Sequence, residues 1–342
     1  MTDDLTRQVL AGLNLPTTDP PLDLAQRIRD ALLTTEQVKK LPPPESIVEG
    51  WLNRDSIAML YGPSGVGKSF VAADIALHLV YGAWWQGTAV KGGPVVYVVA
   101  EGAAGFGLRI DAWEHHNRMR QEVHQMRWLP WAVNIGDDTW AQALIDVCAE
   151  LKPALIVLDT FARCILGIEE NSAREIGLVV ANLDRLRRAT GACILLVHHS
   201  GKESERGSRG SSALRGALDT ELELSGDADR MTLKVRKQKE GPEPAPLYLG
   251  LVTVDGTSSC AIGLPAALDP EQLPQGMAET LEALAAIDVP NGVAVTAWRQ
   301  SSDKSERTFY RHRSLLVDAG LVVNVGGETS PRYRPAHAVE TS

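Results

Sequence analysis

Between Val48 and about Gly263, short apolar runs alternate with longer stretches whose apolar positions recur at helical spacing. The runs predict strands at Ile57 to Tyr61, Val95 to Ala100, Leu155 to Leu158, Cys193 to Val197, Glu221 to Leu224, Met231 to Val235 and Leu247 to Val254. The stretches between them predict helices at Phe70 to Tyr81, Phe106 to His116, Ala141 to Glu150 and Asn171 to Thr190. The four runs before His198 are nearly all Val, Ile, Leu and Ala, as strands buried on both faces of a parallel sheet must be. The alternation predicts an α/β fold with a mainly parallel central sheet and ligand chemistry at the carboxyl edges of its strands. The last three runs have no long helix between them and predict antiparallel hairpins.

Outside this region the pattern changes. Residues 1–45 hold one amphipathic stretch, Leu22 to Leu33, between the Pro-rich pieces Pro16 to Pro21 and Leu41 to Pro44, which predicts an arm with a short helix. The α/β domain is expected over 46–263, and three prolines between Leu264 and Gln275 predict a linker over 264–276. Residues 277–342 predict a second small domain: helices at Met277 to Ile287, Val293 to Gln300 and Ser305 to Ala319, then a strand at Leu321 to Val325, a turn at Gly326-Gly327 and a last extended piece at Pro331 to Pro335. Ser302, Asp303 or Ser305 can cap the third helix.

Composition narrows the class. Of 342 residues, 44% are hydrophobic and 23% charged, which is ordinary for a globular protein. No apolar run approaches transmembrane length, and Met1-Thr2-Asp3-Asp4 is acidic where a signal peptide is basic, so a cytoplasmic protein with no membrane association is expected. Cys148, Cys164, Cys193 and Cys260 are scattered, without C-x-x-C spacing, and are expected to be buried reduced thiols. A net charge of −9 argues against a general polyanion binder but leaves room for a local basic channel.

The strongest chemical signal is Gly62-Pro63-Ser64-Gly65-Val66-Gly67-Lys68-Ser69, between a predicted strand and a predicted helix. The chain must turn there while aiming backbone N–H groups and a helix N-terminus at a polyphosphate. The spacing G-x-x-x-x-G-K-S predicts nucleoside triphosphate binding, with Lys68 on the β/γ-phosphates and the Ser69 hydroxyl on Mg²⁺.

Three further groups fall at strand ends. Asp159 closes a buried apolar strand, a costly place for a carboxylate unless a cation or donor meets it. Beside a phosphate loop that partner is hydrated Mg²⁺. Glu101 ends the strand after the phosphate-loop helix and is placed to orient and deprotonate a water, although a capping or salt-bridged glutamate reads the same way. His198 and His199 end another buried strand, and either imidazole can meet a terminal phosphate or be a satisfied core histidine. The segment from Lys202 to Leu218 is rich in Gly, Ser and Arg, and its Lys202, Arg206, Arg209 and Arg215 suit contact with a nucleic-acid backbone.

These stretches (GPSGVGKSFVAADIALHL, VVYVVAEG, ALIVLDTFARC, CILLVHHSGK, RGSSALRGALD and LKVRKQKEGP) resemble the RecA-like ATPases, and within them the branch of plasmid RepA and DnaB-type replicative helicases. The resemblance spans about residues 46 to 255. It implies ATP and Mg²⁺ as cofactors and a homo-oligomeric ring, commonly hexameric, with ATP between neighbours and single-stranded DNA in the central pore. It further implies Glu101 as catalytic carboxylate, Asp159 as the metal-side acid and His199 as γ-phosphate sensor. The loop from Gly201 to Gly216 is implied as the DNA-contacting pore loop, and Lys237 and Lys239 as groups reaching the neighbour's γ-phosphate. The helicases usually carry arginine at the position of Lys239, so a recombinase-like arrangement stays open. Arg236 is expected on the opposite strand face by alternation. The bland reading of 234–239 is a charged edge strand.

The order of elements in 277–342 resembles a winged helix, with Arg307, Tyr310, Arg311 and Arg313 to one side of its third helix and Phe309, Leu315 and Leu316 for the core. Arg307 and Arg311 are candidate DNA contacts. With no primase or separate N-terminal helicase domain, replication-protein partners are expected. Two functions remain: a DNA motor, and a non-motor ATPase that regulates or loads replication or recombination proteins.

Overall fold

The computed structural model describes residues 24–119, 125–199, 212–263, 273, 275–318, 321–327 and 330–336. In chain order, two short helices, α1 (Leu24–Ala31) and α2 (Thr35–Val38), lead to strands β1 (Ser46–Val48), β2 (Leu52–Asn53) and β3 (Ser56–Gly62). Then follow α3 (Lys68–Tyr81), β4 (Val95–Val99), α4 (Phe106–Asn117), β5 (Met126–Leu129), α5 (Asp138–Leu151), β6 (Leu155–Asp159), α6 (Ala173–Thr190) and β7 (Cys193–His199). A short α7 (Ser212–Ala217) precedes β8 (Thr220–Gly226), β9 (Met231–Gln238), β10 (Leu247–Thr253) and β11 (Cys260–Gly263).

Strands β3 to β11 form one sheet in the order β11-β10-β9-β8-β3-β7-β6-β4-β5. Pairing from β8 through β5 is parallel and from β8 outward to β11 antiparallel. This is the expected α/β fold, and the expected hairpins are there.

Every residue of β3, β4 and β6 is buried, because both sheet faces are covered. Ala58 and Leu60 pack with Tyr97, Val157, Leu195 and α3 on one face. Ile57, Met59 and Tyr61 pack with Ile156, Ile194, α5 and α6 on the other. The pure apolar runs follow from that double burial. Strands β5 and β11 escaped the pattern because each is a four-residue edge strand, and Arg127 of β5 is exposed.

Beyond the linker, α8 (Gln275–Ala286), α9 (Val295–Ser301) and α10 (Glu306–Asp318) pack with β12 (Val293–Ala294), β13 (Val322–Asn324) and β14 (Arg332–Pro335), which pair in the order β12-β14-β13. Their own core contains Leu284, Trp298, Phe309, Leu316 and Tyr333. Of the expected caps for α10, Ser305 serves: its Oγ accepts from the Thr308 amide at 3.3 Å. Cys148, Cys164 and Cys193 are buried, whereas Cys260 is half-buried; all four are free thiols.

Candidate nucleotide site

The carboxyl edge of the parallel strands is where the sequence motifs meet. Strand β3 ends at Gly62, the loop turns through Gly65 (φ 80°) and Gly67 (φ 100°), and α3 begins at Lys68. Helices α5 and α6 start under side-chain caps from Asp137 and Ser172, but α3 starts at Gly67 with no side-chain cap. Its first N–H groups are thus left for an anion. The glycines are sterically required as well. A Cβ at Gly62 would lie 2.1 Å from the Leu224 carbonyl oxygen, and one at Gly67 would lie 2.8 Å from Met231 Sδ.

Lys68 is buried, and its Nζ donates to the carbonyls of Gly62 (3.0 Å) and Pro63 (2.7 Å) and lies 3.2 Å from His199 Nδ1. Burial pushes the ammonium down to about 8, against the favourable field of Asp159. The ammonium can only donate, so His199 Nδ1 accepts and the neutral imidazole keeps its proton on Nε2. The electrostatics agree, since burial and then the Lys68 charge lower the His199 pKa from its usual value. A neutral His199 offers an N–H to a phosphate oxygen.

Ser69 Oγ donates to Asp159 Oδ1 at 3.0 Å, and Tyr97 Oη donates to Asp159 Oδ2 at 2.7 Å. Burial raises the Asp159 pKa while these two hydrogen bonds oppose it. Both carboxylate oxygens are therefore held at the end of β6, two strands from the phosphate loop. Glu101 follows β4 and is exposed; Thr160 Oγ1 donates to its Oε2 at 3.4 Å, and Arg163 lies 3.6 Å from Oε1. Its charge favours the protonated form of both Asp159 and His199, although burial and Lys68 still leave the His199 pKa lowered. The structure thus brings Lys68, Ser69, Glu101, Asp159 and His199 to one edge.

Residues 22–205, more than half of the chain, match the model of an AAA domain family. The chain belongs to that family. Among solved structures, the crystal structure of a KaiC-like protein from the hyperthermophilic archaeon Pyrococcus horikoshii OT3 is similar, with 16% identity over 64% of this chain and 93% of that chain and a TM-score of 0.45. Family membership and the phosphate loop make this AAA-domain protein a P-loop ATPase, built on a mainly parallel sheet. Its residues fit the implied cofactors. The uncapped α3 terminus and the glycine cradle suit a polyphosphate, while the Ser69 hydroxyl beside the Asp159 carboxylate is a hard oxygen pair suited to Mg²⁺. When bound, Mg²⁺ supplies charge neutralisation at the β/γ-phosphates.

Two residues of the AAA-domain site were not singled out from sequence. Tyr97 is the one polar side chain in the run Val95 to Val99, and that oddity was the available signal. Arg109 stacks over Phe70 (4.6 Å) and Phe106 (5.2 Å) and lowers the Asp159 pKa by its charge. Only the fold brings it there.

Other expected residues lie elsewhere. Lys202, Arg206 and Arg209 fall outside the described residues. Arg215 is described, and its guanidinium pairs with the buried Glu221 carboxylate at 3.1 Å. Lys237 Nζ donates to the Arg215 carbonyl at 2.6 Å, and Lys239 pairs with Asp219 at 2.8 Å. The Lys239 amide bonds Asp219, whose own amide bonds Ile57 at the start of β3. Lys239 therefore sits toward the end of the sheet opposite the phosphate loop, and Lys237, across from Glu221 and level with Met59, sits midway along β3. The alternation expected for Arg236 fails. Lys237 opposes Glu221 while Val235 opposes Leu222, so Arg236 is the extra residue of a bulge and pairs with Glu223 at 2.5 Å. Arg307 pairs with Glu49 of the core, and the Arg311 stem packs beside Gly87. The basic side of α10 thus faces the ATPase core across a cleft rather than standing clear of it as a face that reads a duplex groove would.

Proposed function

We propose that this protein is an ATP-hydrolysing motor on single-stranded DNA, replicative helicase-like, working as a homo-oligomeric ring whose ATP sites are completed by the neighbouring subunit. In this reading Lys68 and Ser69 hold phosphate and metal and Asp159 holds the metal side. Glu101 takes a proton from water, and His199 senses the terminal phosphate. Lys237 and Lys239 act across the interface.

One observation carries the reading. The phosphate loop and Lys239 lie at opposite ends of β3: Lys239 meets Asp219 beside Ile57, about five residues along the strand from Gly62, or roughly 17 Å, while Lys237 lies level with Met59, midway along it. A protomer with complementary halves of a site on two different patches suits the head-to-tail contact from which rings close. The loop at 201–211 and the C-terminal unit, read as a winged helix, would supply nucleic-acid contacts.

The test mixes two variants. Lys239→Ala and Glu101→Gln subunits are each expected to hydrolyse ATP poorly, whereas the mixture recovers activity at sites built from the intact half of each. Single-stranded DNA is expected to accelerate hydrolysis by the parent protein. No recovery at any ratio, with no DNA stimulation, overturns the proposal.

A second reading, a non-motor ATPase that regulates or loads replication or recombination proteins, draws on the contact of Arg307 with Glu49, which ties α10 to the core. Strand displacement on a forked duplex separates the two.

A further inference from the structure

A cleft of about 1280 Å³ lies between the ATPase core and α10, well away from the phosphate loop. Its volume exceeds the roughly 300–1,000 Å³ of small-molecule pockets, so a piece of polymer suits it better than a metabolite. Three guanidinium groups, of Arg307, Arg311 and Arg313, line it against one carboxylate, Glu306, which is itself paired with Arg299 at 3.2 Å.

Two of those cations are poorly compensated. Arg311 Nε is buried without a hydrogen-bond partner among the described residues, and neither Arg311 nor Arg313 has an acidic partner there. Burial, and then the neighbouring Arg307 charge, depress the Arg311 pKa. A desolvated cation left without a counter-charge is costly, and an anionic ligand removes that cost. Arg313 instead lies over the rings of Tyr310 (5.0 Å) and Tyr333 (5.6 Å).

The walls also carry flat apolar surface. Trp84 is 64% exposed and Tyr310 is 37% exposed, and both line the cleft. Trp84 owes its exposure to a tight turn: Trp85 and Thr88 exchange backbone hydrogen bonds through Gln86 and Gly87, both at positive φ, so that Trp85 is buried and Trp84 faces out. Gly87 suits the turn through its φ of 71°, and a Cβ there would also lie 3.0 Å from Arg311 Cγ. An exposed indole and phenol among uncompensated guanidiniums suit a phosphodiester chain with unpaired bases. The phosphates meet the arginines while bases stack on the rings. Paired bases are not available to stack, and an acidic peptide would leave the rings unused.

We propose that this cleft binds single-stranded nucleic acid, with Trp84 and Tyr310 as stacking platforms and Arg311 and Arg313 as phosphate contacts. The proposal rests on the single-stranded DNA reading above and assigns that ligand a site outside any central pore. It also places the site at the far end of the phosphate-loop helix. Trp84 lies two residues beyond Gly82, the C-cap of α3, about 20 Å from Lys68 along a rigid element.

The experiment uses the full chain and a 16-nucleotide oligo(dT), fluorescein-labelled for anisotropy and substituted with 5-bromodeoxyuridine for photocrosslinking. Trp84→Ala and Arg313→Gln are each expected to weaken binding by tenfold or more, and crosslinked peptides of the parent protein to contain Trp84 or Tyr310. Because the second measurement uses the parent chain, it holds even where a variant misfolds. Crosslinks confined to 202–218, with unchanged affinity in both variants, overturn the cleft assignment while the DNA reading stands. Inorganic tripolyphosphate displacing the oligonucleotide as well, phosphate for phosphate, as unlabelled oligo(dT) would mark a plain anion site and also overturn it. No retention of oligo(dT) in low salt, with or without ATP, overturns both.

Discussion

Ser69 Oγ donates to Asp159 Oδ1 across 3.0 Å, which ties the first turn of α3 to the end of a strand two places away in the sheet. Tyr97 holds the other carboxylate oxygen at 2.7 Å from a fully buried position. Outer partners of this kind commonly cost ten- to a hundredfold in metal affinity or activity when removed. Tyr97→Phe is therefore expected to raise the Mg²⁺ concentration for half-maximal ATP turnover by about tenfold, measured by Mg²⁺ titration of hydrolysis. An unchanged titration curve would remove Tyr97 from the site.

Glu101 stands exposed beside Asp159 and His199, with Thr160 and Arg163 as its only described side-chain contacts. Glu101→Gln keeps the shape and removes the carboxylate proposed as the base. Nucleotide binding should persist while hydrolysis falls by about 10²–10⁴-fold, the usual scale of general-base catalysis. Turnover at the parent rate would place the base elsewhere. By contrast, Lys68→Ala should abolish nucleotide binding, and normal ATP affinity in that variant contradicts the loop assignment.

On the apolar side of the same helix, Asp74 accepts from two indoles, Trp85 Nε1 at 2.8 Å and Trp113 Nε1 at 2.7 Å, and pairs with His78 at 3.1 Å. An asparagine offers one acceptor where two donors converge and leaves His78 without its counter-charge. Asp74→Asn is expected to destabilise the protein by about 3 kcal/mol, the scale for breaking a buried pair. Urea unfolding of the parent and variant measures it, and a loss below about 1 kcal/mol, the value of one ordinary hydrogen bond, refutes the coupling.

The same pair predicts a pH effect. Burial alone would lower the His78 pKa, but the charge and hydrogen bonds of Asp74 outweigh it and the pKa is raised. A raised histidine pKa contributes stability that is fully present below the unfolded value near 6.5 and is lost as pH rises through the folded value. The melting temperature of the parent, relative to His78→Gln, should therefore fall as pH climbs from about 6 to 9. A difference that stays flat or grows with pH contradicts the ion pair.

Much of this was legible in the sequence because it is local. The phosphate loop reads from eight consecutive residues, since its spacing is a local pattern with positive φ at Gly65 and Gly67, and the strands ending in Asp159 and His199 read from unbroken apolar runs that only a doubly covered sheet produces. The bulge at Arg236 was not legible, because it depends on the register against β8, which the sequence of β9 does not contain. The packing of α10 on the core was hidden for a similar reason. A basic helical face looks the same whether it meets a DNA groove or Glu49 and Gly87.

By itself, the order of residues determined which groups stand at each strand end: a glycine cradle with its lysine and serine, an aspartate, a glutamate and a histidine pair. Only the tertiary structure decided which of these groups touch. Strand order set Asp159 against Ser69 and Tyr97, burial made Lys68 and His199 neighbours with shifted pKa values, and the stacking of α10 on the turn after α3 opened a cationic, aromatic cleft. Periodicity encodes which side of an element is buried, whereas partners far apart in the chain are chosen by sheet order and packing.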